Sequence, residues 1–294
     1  MKKFKKVHVE ITNICNLKCS FCPPKIRQNE TMSLDLFDKI NNEVKHFTKE
    51  LAYHIVGDPL VLSNLNEYLD ISEKHNLKVN ITTAASHLKS KQFKTLIHKT
   101  LKQINFSINS FNANDFKKDI DAYLNPIFEF CQYALDNKSE FFINLRIWNL
   151  DDTQSAREFN RIVFEKANKY FDSKIDSDDI YKNKPKNIRV ARKIFFNFDD
   201  YFAWPSLNNK FVSDKGFCYG LDSHFGILAN GDVIPCCLDK DAVINLGNSS
   251  EEPLGDILTS KRVVAIQQAF RKFSVKEELC QKCSYRTRFD SKVA

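Results

Sequence analysis

The sequence lacks long apolar segments, runs of like charge and low-complexity tracts. No stretch approaches the roughly 18 consecutive apolar residues that a membrane-spanning helix needs. The first residues, MKKFKK, are basic, but an alternating strand pattern follows them instead of the apolar core of a secretory signal. We therefore expect a cytoplasmic protein that has no membrane partner.

The composition is that of a folded globular protein. Hydrophobic residues make up 43% of the 294 residues, which is enough for a substantial core. The length suits one large domain, or one of about 200 residues with a small appendage. The net charge of +7 is spread over Lys-rich segments, which favours a solvated surface. Nucleic acid is not an expected partner, although the charge alone leaves it, or a phosphorylated substrate, open.

Strand-like and helix-like segments alternate along the first 200 residues. Segments with helical spacing of apolar residues lie between the strands. One contains Phe37, Ile40 and Val44 behind a Ser33 cap, and another covers residues 93–101. A polar loop is expected over residues 172–187. The expected strands lie near residues 6–12, 51–57, 77–83, 103–109, 141–148 and 188–197.

Six successive strand–helix units predict an α/β fold with a parallel sheet and right-handed crossovers. An open doubly wound sheet and a barrel both fit this pattern. We favour a partial (β/α)6 TIM-like barrel, because reactive residues follow the carboxyl ends of several strands, where barrel enzymes place their chemistry. From Tyr201 onward aromatics, glycines and five cysteines appear, so we expect a barrel over residues 1–200 and a small second domain over residues 201–294.

Eight of the nine cysteines fall into two groups. In a reducing compartment such clusters indicate metal ligands or redox groups rather than disulfides. Cys15, Cys19 and Cys22 follow the first strand at x3 and x2 spacing, which allows three thiolates to hold one iron–sulfur cluster. Three ligands on a four-iron cluster leave one iron open for a cofactor or substrate. A zinc site is the alternative, but no histidine follows at ligand spacing.

The first group resembles the signature of the radical S-adenosylmethionine (SAM) superfamily, Cys-x3-Cys-x2-Cys with an aromatic residue, here Phe21, before the last cysteine. The resemblance implies that SAM chelates the open iron of a [4Fe–4S] cluster. It further implies that an electron from the cluster cleaves SAM to methionine and a 5′-deoxyadenosyl radical. Such chemistry belongs to the cofactor, while the protein positions and shields it.

Later segments match the same family in order. Gly57-Asp58-Pro59 resembles the Gly-Glu-Pro turn that meets the SAM amino group, with Asp in place of Glu, although Gly-Asp-Pro is also a common structural turn. Ser107 and Asn109, at the end of the fourth strand, resemble the segment that contacts the SAM ribose, and a period of two places them on one face.

Arg146 lies in a strand that otherwise reads as core. An unpaired buried charge is costly, so this arginine requires a partner. The SAM carboxylate is a suitable partner for the planar guanidinium group of Arg146, and a structural salt bridge to a carboxylate such as Glu10 is the alternative.

The second cysteine group also suits a four-thiolate site. Cys218, Cys236, Cys280 and Cys283 could hold either zinc or a [4Fe–4S] cluster, and an Asn230-Gly231 hairpin would carry Cys236 inward. The arrangement resembles the auxiliary-cluster domain of radical SAM proteins in its short, twitch version of the SPASM form. This resemblance implies one auxiliary [4Fe–4S] cluster, with the adjacent Cys237 as a possible substitute for Cys236.

Together these features predict a radical SAM enzyme that abstracts hydrogen from a small molecule or peptide and oxidises or modifies it. A flavodoxin or ferredoxin is the expected electron donor. Two other classes are consistent with parts of the sequence: an iron–sulfur sensor without SAM turnover, and a zinc-stabilised nucleic-acid-binding module. SAM turnover separates the first from the enzyme, and metal analysis with salt-dependent binding identifies the second.

Overall fold

The computed structural model describes residues 3–24, 26–114, 119–150 and 154–292. The chain divides into two compact units. Unit one comprises Met1–Cys15, Cys22–Val79 and Phe202–Ala294, and unit two comprises Asn16–Phe21 and Asn80–Tyr201. This grouping differs from the division at residues 200 and 201, which stays a prediction.

Strands and helices alternate as expected in the first part of the chain. The strands are β1 (Lys6–Val9), β2 (Glu50–Ala52), β3 (Lys78–Thr83), β4 (Leu101–Ser107), β5 (Phe142–Ile147), β6 (Asn187–Ala191), β7 (Ile194–Phe198), β8 (His224–Ile227) and β9 (Val233–Ile234). The helices are α1 (Leu34–Val44), α2 (Leu65–Lys74), α3 (Ile120–Asp136), α4 (Gln154–Phe171), α5 (Ser177–Asn183), α6 (Leu254–Thr259), α7 (Lys261–Arg271) and α8 (Glu278–Gln281).

In unit one the strand order is β2-β1-β8-β9. β1 pairs in parallel with both neighbours, with Val7 opposite Leu51 on β2 and Phe225 on β8, and β9 returns antiparallel to β8. Val7 and Val9 are fully buried. Because side chains alternate across a strand, His8 and then Glu10 lie on the other face. α1 buries Phe37, Ile40 and Val44, and the Ser33 hydroxyl accepts a hydrogen bond from the Leu36 amide, as the sequence predicts.

In unit two the strand order is β6-β7-β5-β4-β3. β4, β5 and β7 run parallel, whereas β6 is antiparallel to β7. The predicted single strand over residues 188–197 is therefore wrong: this segment is a hairpin whose turn holds Lys193 at φ +54°. The fold is α/β with a mostly parallel sheet, in agreement with the predicted class.

Three local predictions need correction. The predicted helix over residues 93–101 is wrong: this segment contains one short 3₁₀ turn, at Thr95–Ile97, before β4 begins at Leu101. The predicted polar loop over residues 172–187 contains α5, whose first turn is capped by the Asp176 carboxylate. Strand β4 ends at Ser107, so the period of two does not extend to Asn109. Among the described residues, no helix has the length and apolar character needed to cross a membrane.

Candidate functional site

The first cysteine group follows β1. Cys15 and Cys22, both exposed, belong to unit one, and Cys19, which is buried, belongs to unit two. Phe21 is half-buried in unit two, with its ring 5.6 Å from that of Tyr201. The role of these cysteines as cluster ligands stays a prediction.

Cys19 is held by a turn that sequence reasoning missed. The Asn114 side-chain amide donates from Nδ2 to the Cys19 sulfur at 3.0 Å. Its Oδ1 accepts from the Lys18 amide at 2.9 Å, and the Ser20 amide donates to the Ala113 carbonyl at 2.9 Å. An N–H directed at a cysteine sulfur favours its thiolate form, which is the form that binds iron. The surroundings of Cys19 therefore fit a cluster ligand.

Gly57 and Asp58 lie in unit one, next to the end of β1. Gly57 adopts φ +87°, and a Cβ at this position would come within 2.4 Å of the Thr12 carbonyl oxygen, so glycine is required here. The Asp58 amide donates to the Ile14 carbonyl at 2.9 Å. The buried Asp58 carboxylate accepts from the Leu60 amide at 3.0 Å and caps the following turn. The turn thus lies against the segment that precedes Cys15, while the capping bond gives Asp58 a structural role as well.

The predicted SAM contacts of unit two lie at the carboxyl ends of β4 and β5. Ser107 is the last residue of β4 and stands opposite Arg146 on β5, which in turn stands opposite Asn197 on β7. The Arg146 guanidinium lies 4.4 Å from the centroid of the Trp148 ring, and the Trp148 indole N–H donates to Asn197 at 2.8 Å. Asn109 is buried in the turn after β4. Ser107 and Arg146 are therefore neighbours on one face.

Glu10, the alternative partner considered for Arg146, is paired within unit one. Both of its carboxylate oxygens accept from the Arg27 guanidinium, at 2.6 and 2.8 Å. Burial raises the pKa of Glu10, and the Arg27 charge opposes this effect. Arg27 could not be identified as this partner from the sequence, because it lies 17 residues from Glu10 and outside any motif.

The second cysteine group converges in unit one. A Cβ on Gly220 would lie 3.7 Å from the Cys218 sulfur and 3.5 Å from the Cys236 Cβ, so these two cysteines flank Gly220. Burial raises the pKa of Cys218 to about 11, and nearby Cys283 adds to this effect. Burial also raises the pKa of Cys280, and the nearby Cys218 and Cys283 raise it further. The four predicted ligands therefore influence one another's ionisation.

This donor set fits an iron–sulfur cluster. Four neighbouring, half-buried thiols resist ionisation, because each thiolate loses hydration and repels the others; bound iron would supply the compensating positive charge. Cys283 also accepts hydrogen bonds from the backbone amides of Arg286 and Tyr285, which lower its pKa against the effect of burial. Cys237 packs beside the apolar cluster of Ile55, Leu228 and Ile234, and its charge contributes to the raised pKa of Cys218 and of Cys236, so the choice of Cys236 over Cys237 as the ligand stays a prediction.

Arg286, which the sequence did not single out, fixes this region. Its side chain is buried and donates to the carbonyls of Lys215 at 3.0 Å, Ser213 at 3.2 Å and Cys280 at 3.3 Å. It thereby ties the segment that leads to Cys218 to the helix that carries Cys280.

Comparison with known proteins agrees with both cysteine groups. Residues 9–158, just over half of the chain, match the model of the radical SAM superfamily, and residues 218–284 match SPASM, an iron–sulfur cluster-binding domain. The chain therefore belongs to the radical SAM superfamily and carries a C-terminal SPASM domain. Members of this family use SAM together with a [4Fe–4S] cluster, and a SPASM domain implies an auxiliary iron–sulfur cluster.

Individual relatives are more distant. The chain is 30% identical to the GTP 3′,8-cyclase of Aquifex aeolicus over 132 residues, which are 42% of this chain and 41% of that protein. It is 26% identical over 102 residues to the S-adenosyl-L-methionine-dependent 2-deoxy-scyllo-inosamine dehydrogenase of Niallia circulans, covering 32% and 41% of the two chains. The chain thus spans about two fifths of the length of these curated relatives.

Structural similarity covers more of the chain than these sequence matches do. The crystal structure of BtrN in complex with AdoMet and 2-DOIA superposes with a TM-score of 0.62 at 16% identity, covering 97% of this chain and 94% of that one. At this identity the likeness shows the fold alone.

Proposed function

We propose that this chain cleaves SAM reductively and uses the resulting 5′-deoxyadenosyl radical to abstract hydrogen from a small molecule or peptide. The observation that carries the proposal is the position of Cys15, Cys19 and Cys22, directly after β1 and inside the segment that matches the radical SAM family. A bound, reduced [4Fe–4S] cluster supplies the electron that breaks the carbon–sulfur bond of SAM.

The chain's own side chains have distinct proposed roles. Cys15, Cys19 and Cys22 hold the cluster, with Asn114 orienting the Cys19 sulfur. The backbone beside Gly57 receives the SAM amino group. Arg146, with Ser107 opposite it on β4, is positioned to bind the carboxylate and ribose of SAM.

Phe21 and Asn109 would line the SAM site by resemblance to the family, and the Asp58 carboxylate would contribute through the turn that it caps.

Cys218, Cys236, Cys280 and Cys283 are the proposed ligands of one auxiliary [4Fe–4S] cluster. Such a cluster can accept the electron that a substrate radical loses during a two-electron oxidation. The names of the two curated relatives, a nucleotide cyclase and an inosamine dehydrogenase, favour a small molecule over a peptide as substrate. A flavodoxin or ferredoxin is the proposed electron donor, and the cytoplasm, which keeps thiols reduced, is the proposed location.

The test begins with anaerobic reconstitution, followed by iron and zinc analysis and dithionite-driven SAM cleavage. Wild type, a Cys15/Cys19/Cys22→Ala triple variant and a Cys131→Ala control are compared, since Cys131 lies in the buried face of α3. Two [4Fe–4S] clusters correspond to about eight irons in wild type and in the control, and about four in the triple variant. Only wild type and the Cys131→Ala control should form 5′-deoxyadenosine.

Other outcomes favour other classes of protein. Zinc in place of the second set of irons would make the C-terminal site structural. A fully loaded, reduced wild type that forms no 5′-deoxyadenosine would favour an iron–sulfur sensor.

A further inference from the structure

Glu10 is a fully buried carboxylate in unit one, immediately after β1. Arg27 Nη2 donates to its two oxygens at 2.6 and 2.8 Å. The backbone amides of Val56 and Ala229 each donate to it at 3.3 Å. A buried charge is tolerated when it is paired and hydrogen-bonded in this way, so the arrangement of its donors is under strong constraint.

The three donors come from three different segments of unit one. Arg27 follows Cys22 by five residues. Val56 immediately precedes Gly57, in the proposed SAM-binding turn. Ala229 lies in the turn between β8 and β9, the hairpin that leads to Cys236. One carboxylate therefore fixes the relative positions of three segments that bear proposed cofactor-binding residues.

The Arg27 guanidinium extends this connection. Its Nε donates to the Lys240 carbonyl at 2.7 Å, four residues after Cys236, while Nη2 binds Glu10. Arginine suits this position because its donors lie in one rigid plane, so that the two contacts fix its orientation. A lysine ammonium has no second, fixed donor that could make both contacts in the same geometry.

We propose that the Glu10–Arg27 pair is a positioning element that couples the segment after Cys22 and the Gly57 turn to the auxiliary-cluster hairpin. The pair holds these segments in one arrangement, so that a disturbance at either cluster-binding segment reaches the other. This inference rests on the proposed function for the identity of the clusters, whereas the coupling is a property of the protein segments themselves.

The test compares the reconstituted holoprotein with its Arg27→Gln and Glu10→Gln variants, without a substrate. Hydrogen–deuterium exchange is followed in peptides that cover residues 52–58 and 226–232. Electron paramagnetic resonance spectra of the dithionite-reduced protein are recorded with and without SAM. Both variants should speed exchange about tenfold or more in both segments together. Glu10→Gln replaces the charged acceptor of both backbone amides with a neutral one, and Arg27→Gln leaves the buried Glu10 carboxylate without its cation, so that it no longer holds the two segments in place. The spectral signals of both clusters should change.

Arg262→Gln is the matched control. Arg262 also makes a two-pronged ion pair, with Glu277 at 3.1 and 2.9 Å, and it also donates to a carbonyl, that of Asn245 at 2.8 Å. Its loss should leave exchange over residues 52–58 and the SAM-dependent spectrum as in wild type.

Arg27→Lys keeps the positive charge and takes the place of Arg27→Gln in the comparison if Arg27→Gln fails to fold or to load iron. It should load fully and speed exchange in both segments, by less than Arg27→Gln. Faster exchange in only one segment, or wild-type exchange and spectra in loaded variants, would overturn the coupling. If wild type cleaves no SAM but the variants still speed exchange in both segments together, the proposed function is contradicted and the coupling stands.

Discussion

The Asn114 side-chain amide donates a hydrogen bond to the Cys19 sulfur across 95 residues of sequence, at 3.0 Å. Amide donors to a cluster ligand stabilise the added negative charge of the reduced cluster, so they raise its reduction potential. The same side chain accepts from the Lys18 amide and therefore orders the backbone around the cysteine.

Replacing Asn114 with alanine should lower the potential of the cluster that Cys15, Cys19 and Cys22 are proposed to hold. One neutral hydrogen bond contributes about 1 kcal/mol, which corresponds to a shift of about 40 mV for one electron. Redox titration followed by paramagnetic resonance measures the shift. Asn112→Ala, two residues earlier in the same turn, is the control, and an equal potential in both variants would contradict the role of Asn114.

Gly57→Ala should destabilise the protein and weaken SAM binding. The added Cβ would lie 2.4 Å from a backbone oxygen, and φ +87° is unfavourable for alanine, so we expect a loss of at least about 2 kcal/mol. Gly255→Ala is the opposite case, because its Cβ would meet only Phe47 at 3.9 Å within helix α6, and a gain of up to about 1 kcal/mol is expected. Thermal unfolding of the anaerobic holoprotein and SAM titration measure both. Equal effects of the two substitutions would contradict the account.

Acidification should destabilise unit one through its histidines. Burial lowers the pKa of His224 from its usual 6.5 to about 4, with Lys6 adding to the effect and Asp222 opposing it. Burial, His54 and His224 likewise lower the pKa of His8, whose ring centroid lies 5.7 Å from that of His54. A folded-state pKa below the unfolded one stabilises the protein above pH 6.5, and this contribution is lost as pH falls toward 4.

His224→Gln should therefore flatten the pH dependence of stability. The lowered pKa of His224 contributes about 3 kcal/mol to the pH dependence of the free energy of unfolding over the full range between its folded and unfolded pKa. Thermal unfolding midpoints of wild type and variant at pH 7.5 and pH 5.0 provide the comparison. Identical shifts in the two proteins would show that folding does not lower the pKa of His224, and would contradict the account.

Substitution of the two adjacent cysteines should separate their roles. Cys236 lies with Cys218 beside Gly220, whereas Cys237 packs against Ile55, Leu228 and Ile234. Cys236→Ser should therefore lose or destabilise the auxiliary cluster, removing up to about four irons per chain, and Cys237→Ser should keep them. Iron analysis after identical reconstitution decides between them, and the reverse result would make Cys237 the ligand.

The sequence allowed prediction of the features that depend on neighbouring residues. The cysteine spacing, the Ser33 cap and the Asn230-Gly231 hairpin are all local patterns, and the structure contains the cap and the hairpin where they were expected. The α/β class followed from the repeated alternation of strand and helix.

The contacts that orient these features could not be predicted in the same way. Asn114, Arg27 and Arg286 act on residues or segments brought close only by the fold, and none belongs to a recognisable motif. The hairpin of β6 and β7 was missed because Lys193 takes the left-handed conformation that usually marks a glycine. Asn109 was assigned to a strand because hydrophobic alternation continues past Ser107, where the backbone already turns.

The measurement that tests the central claim most directly is the yield of 5′-deoxyadenosine from SAM under dithionite, per reconstituted chain. Wild type should form 5′-deoxyadenosine together with methionine in equal amounts. The Cys15/Cys19/Cys22→Ala variant should form neither while retaining its auxiliary irons. Equal yields from the two proteins, or none from a loaded and reduced wild type, would contradict the assignment of radical SAM chemistry to this chain.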